Sequence, residues 1–589
     1  MKQFFKFVFA SMVGIFLSAF IFLIIAVAII GGIISAASSD KAITVNDNSI
    51  LKISLNYAIK ERTEKNPFNN VHLPSFSSQK TIGLDEILLR IKAAKDDTKI
   101  KGILLDLQGI GASFATLQEI RDALMDFKQS KKFILSYSEG YSQKSYYLAS
   151  TADGVYLNPE GSVDFRGLAA QLSFFKGTLE KLGIEAQVIK VGTYKSAVEP
   201  FILDKMSPAN REQVTSYLHS VYDYYLSNIS NSRKIPVDSL RQIANNYTGR
   251  DANKALASKL VDKLTYKDEL IAELKNKLHI DENKKINAVN IEDYATEKSN
   301  IVETQDRIAL VYAVGEIISG EGSDEQIGSE RISRAIRHAR EDEKIKAVVL
   351  RVNSPGGSAL ASDVIWREVS LTKKVKPIIV SMGDVAASGG YYISCAADSI
   401  FAQPNTITGS IGVFGIIPNL QNFFNNKLGV TFDEVKTGRY ADLMTVSRPL
   451  TADERDLIQQ DVNRIYQTFT KKVANGRNIT QSRVDSIGQG RVWTGAQAVE
   501  IGLVDRLGSL DDAIKAAAQK AHLKEFKIAS YPAMKDPLEA LLNDSGDKLQ
   551  VWYMQNQLGE EAYSLYNQAK QVIQQSGIQS RMPYIIQLQ

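Results

Sequence analysis

The chain is written twice, and this constrains its fold more than any other feature. "IKGILLDLQGIGAS" begins at Ile100, and "IKAVVLRVNSPGGS" begins at Ile345, 245 residues later. At the same spacing "SYYLASTADGVYLNP" (Ser145 to Pro159) matches "GYYISCAADSIFAQP" (Gly390 to Pro404) without a gap. Further on, "VGTYK" at Val191 meets "TGRYA" at Thr437, and "ALASKLVDKL" at Ala255 meets "AVEIGLVDRL" at Ala498. So steady a spacing indicates a duplicated domain.

Both copies run in the same order. A strand ("GILLDL", "AVVLRV") leads into a Gly-containing loop and a helix, then a strand ("FILSY", "PIIVSM"), a helix and a strand ("GVYL", "SIFA"). Strands alternating with helices predict an α/β fold with mainly parallel sheets. A helical stretch follows in each copy. It starts at Ser207-Pro208 as N-cap and first helical residue in one, and at a Thr451/Glu454 capping box in the other. The charged segment from about 265 to 305 reads as a helix plus linker. Four regions result: 1–40, 41–300, 301–530, and a tail, 531–589, whose "LEALLNDSGDKLQVWYMQNQ" predicts amphipathic helices.

The 589 residues suffice for more than one core. A net charge of +4 without a concentrated basic run gives no reason to expect a nucleic-acid partner. The single cysteine, Cys395, rules out an intrachain disulfide and a Cys-based zinc site, and reads as a buried, inert thiol. The five histidines are scattered and lack ligand spacing, so neither a metal nor a cofactor is expected. From Phe7 to Ala37 there is no charge, which is enough for the roughly 20 residues of a membrane span. Lys2 and Lys6 place the short N-terminal tip in the cytoplasm and the bulk of the chain on the far side.

A duplication supplies its own control. Asp153/Asp398, Pro159/Pro404, Tyr147/Tyr392 and Gly192/Gly438 are kept in both copies and read as scaffold. Ser388, in "GDVAASGGYYIS", is answered by Gln143, and Gly357 in "NSPGGS" by Ala112. Conversely Lys195, in "GTYKSAVEPF", is answered by Ala441. One copy keeps a lysine and the other a serine, the pattern expected of one site that draws a group from each half. Ordinary drift after duplication is the competing account.

"NSPGGS", "DVAASGGYYIS", "TGSIGV" and "GTYKSAVEPF", in order on a duplicated frame, resemble the signal peptide peptidase A family in its long, membrane-anchored form. The likeness covers about 45 to 530 together with the N-terminal segment. It implies tandem ClpP/crotonase-like domains and an ATP-independent serine protease with a Ser-Lys dyad. Ser388 would be the nucleophile and Lys195 the general base, with Ser410 orienting the lysine. It further implies a homotetramer at the outer face of the cytoplasmic membrane, degrading signal peptides and other hydrophobic peptides.

The chemistry makes demands of its own. A serine hydroxyl is a weak nucleophile until a base takes its proton. Lysine, with an ordinary pKa of about 10.4, serves only when burial lowers it. The oxyanion formed in acyl transfer needs donors, and the backbone N–H groups of Gly357 and Gly389 are the candidates. Three alternatives compete: a non-catalytic membrane scaffold, an acyl-CoA enzyme of the crotonase type, and a Ser-His-Asp hydrolase. The last finds no histidine in either motif region.

Overall fold

The computed structural model describes residues 2–38, 45–63, 81–294, 304–534 and 577–582. The duplication is visible as two sheets with one strand order. The first runs Lys263–Leu264, Gly154–Val163, Phe133–Tyr141, Ile100–Asp106, Ser49–Ile53, Asn287–Asn290, parallel throughout. The second repeats that order as Arg506–Leu507, Ser399–Ala402, Ile378–Ala387, Ile345–Ser354, Arg307–Val314, Lys527–Tyr531. It adds Ile407–Gly409 and Val492–Thr494 at the end of Ile378–Ala387. The central strands are apolar along their length because helices cover both faces of a parallel sheet. Val348, Val349 and Leu350 are all fully buried.

The scaffold pairs do the same work in each copy. Asp153 accepts from the Ile134 N–H, and Asp398 from the Ile378 N–H. The Tyr146 hydroxyl donates to the Leu260 carbonyl, and that of Tyr391 to the Leu503 carbonyl. Arg233 pairs with Asp262, and Arg477 with Asp505. The predicted caps at Ser207 and at Thr451/Glu454 open the long helices Pro208–Arg233 and Ala452–Arg477. The expected linker helix is Lys267–Leu278. Cys395 is buried in apolar surroundings that push its thiol up to about 12.

A third sheet joins the copies. Its order is Gln326–Gly328, Glu316–Ile318, Gly356–Ser358, Gly577–Arg581, Val413–Asn419, Glu185–Val191. The last pair is antiparallel, with Val413 opposite Val191, and ties copy one to copy two. A buried ion cluster forms a second joint. Arg351 reaches Glu61 at 2.9 Å and Glu119 at 2.6 Å, while Asp384 accepts from the Thr116 N–H and hydroxyl. Arg351 interrupts the apolar run "AVVLRV". A charge in mid-strand was the signal for this buried cluster, and sequence reasoning missed it.

The N-terminal segment is one helix, Lys2–Ser38, with Phe9, Phe16 and Phe22 exposed. Its side chains beyond Ile25 lie outside the described residues, and among the described residues no helix is long and apolar enough to cross a membrane. The amphipathic helices expected at 538–557 and 560–575 also lie outside the described residues. Beyond them, Gly577–Arg581 is a strand whose backbone groups pair with both cleft edges.

Candidate active site

The strand Ile378–Ala387 ends in a sharp turn at Ser388, and a short helix, Gly389–Ser394, follows. Ser388 has φ 55° and ψ −113°, a conformation L residues rarely adopt and one that costs on the order of 1–3 kcal/mol. Backbone bonds hold it there: the Ser388 N–H donates to the Gly409 carbonyl at 2.8 Å, and the Tyr392 N–H to the Ser388 carbonyl at 2.8 Å. Its hydroxyl makes no capping bond to the helix, so it is not acting as an N-cap. Strained serines on such strand-to-helix turns present their hydroxyl to a cleft.

Lys195 reaches it from the other copy. The strand Glu185–Val191 lies against Val413–Asn419, and the loop after it turns into copy two. The Tyr194 N–H donates to the Gln489 carbonyl at 2.9 Å, and Gln213 donates to the Tyr194 carbonyl at 3.0 Å. Gly490 lets the lysine pass: a methyl group there would sit 2.6 Å from the Lys195 backbone. Lys195 Nζ ends 3.0 Å from Ser388 Oγ, 3.1 Å from Ser410 Oγ and 3.2 Å from the Ser410 carbonyl oxygen.

Lys195 is fully buried, with Nζ 5.8 Å from the centre of the Phe414 ring. Burial alone pushes its amine well below the ordinary lysine value. A neutral amine has two N–H donors and one lone pair. With both donors turned to the Ser410 hydroxyl and carbonyl oxygens, the lone pair is left for the Ser388 hydroxyl proton. The three residues named from sequence are therefore brought together, and Ser410 stands where it can aim the amine.

Gly357 and Gly389 flank the same point. Gly357 has φ 155°, and a methyl group there would sit 2.1 Å from the Ile317 carbonyl oxygen, so no larger residue fits. Between these glycines runs the tail strand. Ser580 stands opposite Gly357, and its carbonyl oxygen would lie 3.0 Å from a methyl group on Gly389. Ser580 Oγ is 2.9 Å from Ser388 Oγ. Sequence reasoning missed this strand. "GIQSR" has no counterpart in the repeat, and backbone pairing to a cleft leaves no side-chain pattern.

A strained serine, a buried lysine and a strand-shaped cleft on a duplicated α/β frame define a serine peptidase. The profile of peptidase family S49 matches residues 126–281 and 370–524, once in each copy, and that of Clp protease matches 298–408. The chain belongs to peptidase family S49. It is 36% identical over 507 residues to "Protease 4" of Haemophilus influenzae, covering 83% of this chain and 81% of that one. It is 40% identical over 458 residues to "Protease 4" of Salmonella typhi, covering 76% and 74%. It is 33% identical over 508 residues to "Serine protease SPPA, chloroplastic" of Arabidopsis thaliana, covering 84% and 73%. The peptidase account prevails over the scaffold; the Clp protease likeness falls on copy two, whose strand order copy one shares.

Proposed function

We propose that Ser388 is the nucleophile and Lys195 the general base of an ATP-independent endopeptidase that degrades hydrophobic peptides, signal peptides among them. The observation that carries this is the 3.0 Å approach of a fully buried Lys195 amine to the Ser388 hydroxyl across the two copies. Lys195 takes the hydroxyl proton as Ser388 Oγ attacks the peptide carbonyl. The oxyanion forms between the backbone N–H groups of Gly357 and Gly389. Lys195 then returns the proton to the leaving amine, and water releases the acyl group by the reverse path. The reaction needs no metal or cofactor in this scheme.

The helix Lys2–Ser38 anchors the enzyme in the cytoplasmic membrane, with its tip inside and both copies outside. The uncharged stretch Phe7–Ala37 and the exposed Phe16 and Phe22 support this. The chain assembles as a homotetramer. In copy two the counterpart of the strand Glu185–Val191, about 431–437, forms no strand among the described residues, and Phe432 and Val435 there and the neighbouring Leu428 are exposed, a surface suited to a second copy.

One assay tests the chemistry: cleavage of a hydrophobic signal-like peptide, without ATP, by the wild type, Ser388→Ala and Lys195→Ala. Only the first should turn over, and undiminished turnover by either variant removes the dyad. Protease digestion of spheroplasts should reach both copies. Protection of the large domain would reverse the topology. Light scattering of the detergent-solubilised chain checks the tetramer.

A further inference from the structure

The cleft already holds a peptide, and its side chains show what the cleft accepts. Gly577–Arg581 pairs antiparallel with Gly356–Ser358 on one side and Val413–Asn419 on the other. The Met582 N–H continues the pairing by donating to the Pro355 carbonyl at 2.6 Å. Side chains alternate along such a strand. Arg581 meets Glu316 at 2.9 Å, whereas Met582 is 3% exposed. Met582 packs in an apolar cluster with Val214 and Tyr217 of the helix Pro208–Arg233 and with Ala387, Ile407 and Val492 of copy two. Ala387 immediately precedes Ser388, so this pocket adjoins the nucleophile, and both copies build it.

We propose that the pocket around Met582 is a substrate subsite for one large apolar side chain, two residues past the residue whose carbonyl lies beside Ser388. The chain's own Gly577–Met582 is a tethered occupant of that subsite, which an incoming peptide displaces. This rests on the peptidase reading above. The observations are the register, which sets Ser580 between Gly357 and the Ser388 hydroxyl, and the burial of Met582. Backbone pairing of an added strand supplies affinity for any sequence, and a side-chain pocket supplies the choice. A tethered segment competes at an effective concentration on the order of millimolar.

The test uses the full chain. Quenched fluorescent peptides with the sequence of residues 576–584 carry Met, Leu, Ala or Asp at the position of Met582. The Met and Leu peptides should be cut with kcat/KM about tenfold above Ala, with Asp lower still. In the full-length Met582→Asp variant the tail loses its anchor. KM for the Met peptide should fall severalfold with kcat unchanged, and a fluorophosphonate should label Ser388 faster. Equal kcat/KM across the four peptides overturns the subsite. An unchanged KM and labelling rate in Met582→Asp overturns the tethered occupant. If the wild type and Met582→Asp label and cut nothing, the peptidase reading fails and takes the subsite with it. Labelling with indifferent kinetics sinks the subsite alone.

Discussion

The same turn occurs twice in this molecule, and only one of the two is strained. In copy one the helix Gln143–Ala149 opens on Ser142, an ordinary N-cap in extended conformation whose hydroxyl accepts from the Ser145 N–H. Gln143 stands at the repeat position of Ser388. Its amide donates to the Gly167 carbonyl at 2.9 Å and accepts from the Gly167 N–H at 3.0 Å. Gly167 answers in turn to Gly412, whose carbonyl lies 3.5 Å from Ser388 Oγ. Where copy two has Ser410, copy one has Phe165, stacked on Tyr225 and edge-on to Tyr146. Copy one has thus filled its site with an amide plug and aromatic packing, while copy two keeps a strained and polar one that the tail strand covers. The difference teaches that where copy two has hydroxyls facing a lysine, copy one has a self-satisfied amide and ring packing. Its Lys195 reaches instead into the neighbouring copy, to Ser388.

The comparison can be broken most forcefully at this lysine. Lys195→Met should lower turnover by about 10⁴-fold or more, as loss of a base that acts with its nucleophile does. It should at the same time raise the melting temperature. Burial lowers the folded pKa of Lys195, so between that lowered value and about 10.4 the unfolded chain binds more protons and stability rises with pH. Methionine avoids that cost, and the gain should shrink in scans at higher pH. Turnover by the wild type should rise with pH as Lys195 loses its proton. A profile flat from weakly acidic to alkaline pH would rule out this base.

Next in size is the joint between the copies. Arg351→Ala leaves Glu61 and Glu119 buried without their cation, and should cost about 3–5 kcal/mol in denaturant unfolding. A loss under about 1 kcal/mol would mean that this ion cluster contributes little to holding the copies together.

Ser410 sharpens the contrast with Phe165. Ser410→Ala removes one acceptor of the Lys195 amine, and should lower kcat by about tenfold to a hundredfold, or about 1.4–2.8 kcal/mol. KM should not move, and Ser410→Thr should recover part of kcat. A matched change in KM would assign Ser410 a packing role instead.

The smallest effect belongs to the plug. Gln143→Ser, made with Ser388→Ala, restores a serine to copy one but no lysine, and should cut no peptide. It should destabilise by about 1–3 kcal/mol, because the Gly167 peptide loses its partner in the interior. Any turnover would show that copy one retains a latent site.

Much of this was legible before the coordinates. The duplicated, mainly parallel α/β frame followed from the repeat, and Ser388 and Lys195 stood out because each was kept in one copy only. Ser410, Gly357 and Gly389 came with the motifs around them. What escaped were contacts with no periodicity. Glu61 and Glu119 meet Arg351 from more than 200 positions away. Ser580 enters the cleft through backbone pairing, which is indifferent to side-chain type.

The sequence by itself determined a duplicated α/β frame and the chemical types available to a single shared site. Apolar periodicity and a repeated order of elements are properties of the chain as written. Only the tertiary structure decided that Lys195 is buried with its amine pushed well below the ordinary lysine value, that this amine lies 3.0 Å from the Ser388 hydroxyl, and that the chain's own tail lies in the cleft. Each depends on burial and on distances of about 3 Å between atoms far apart in the chain, and no local pattern encodes these.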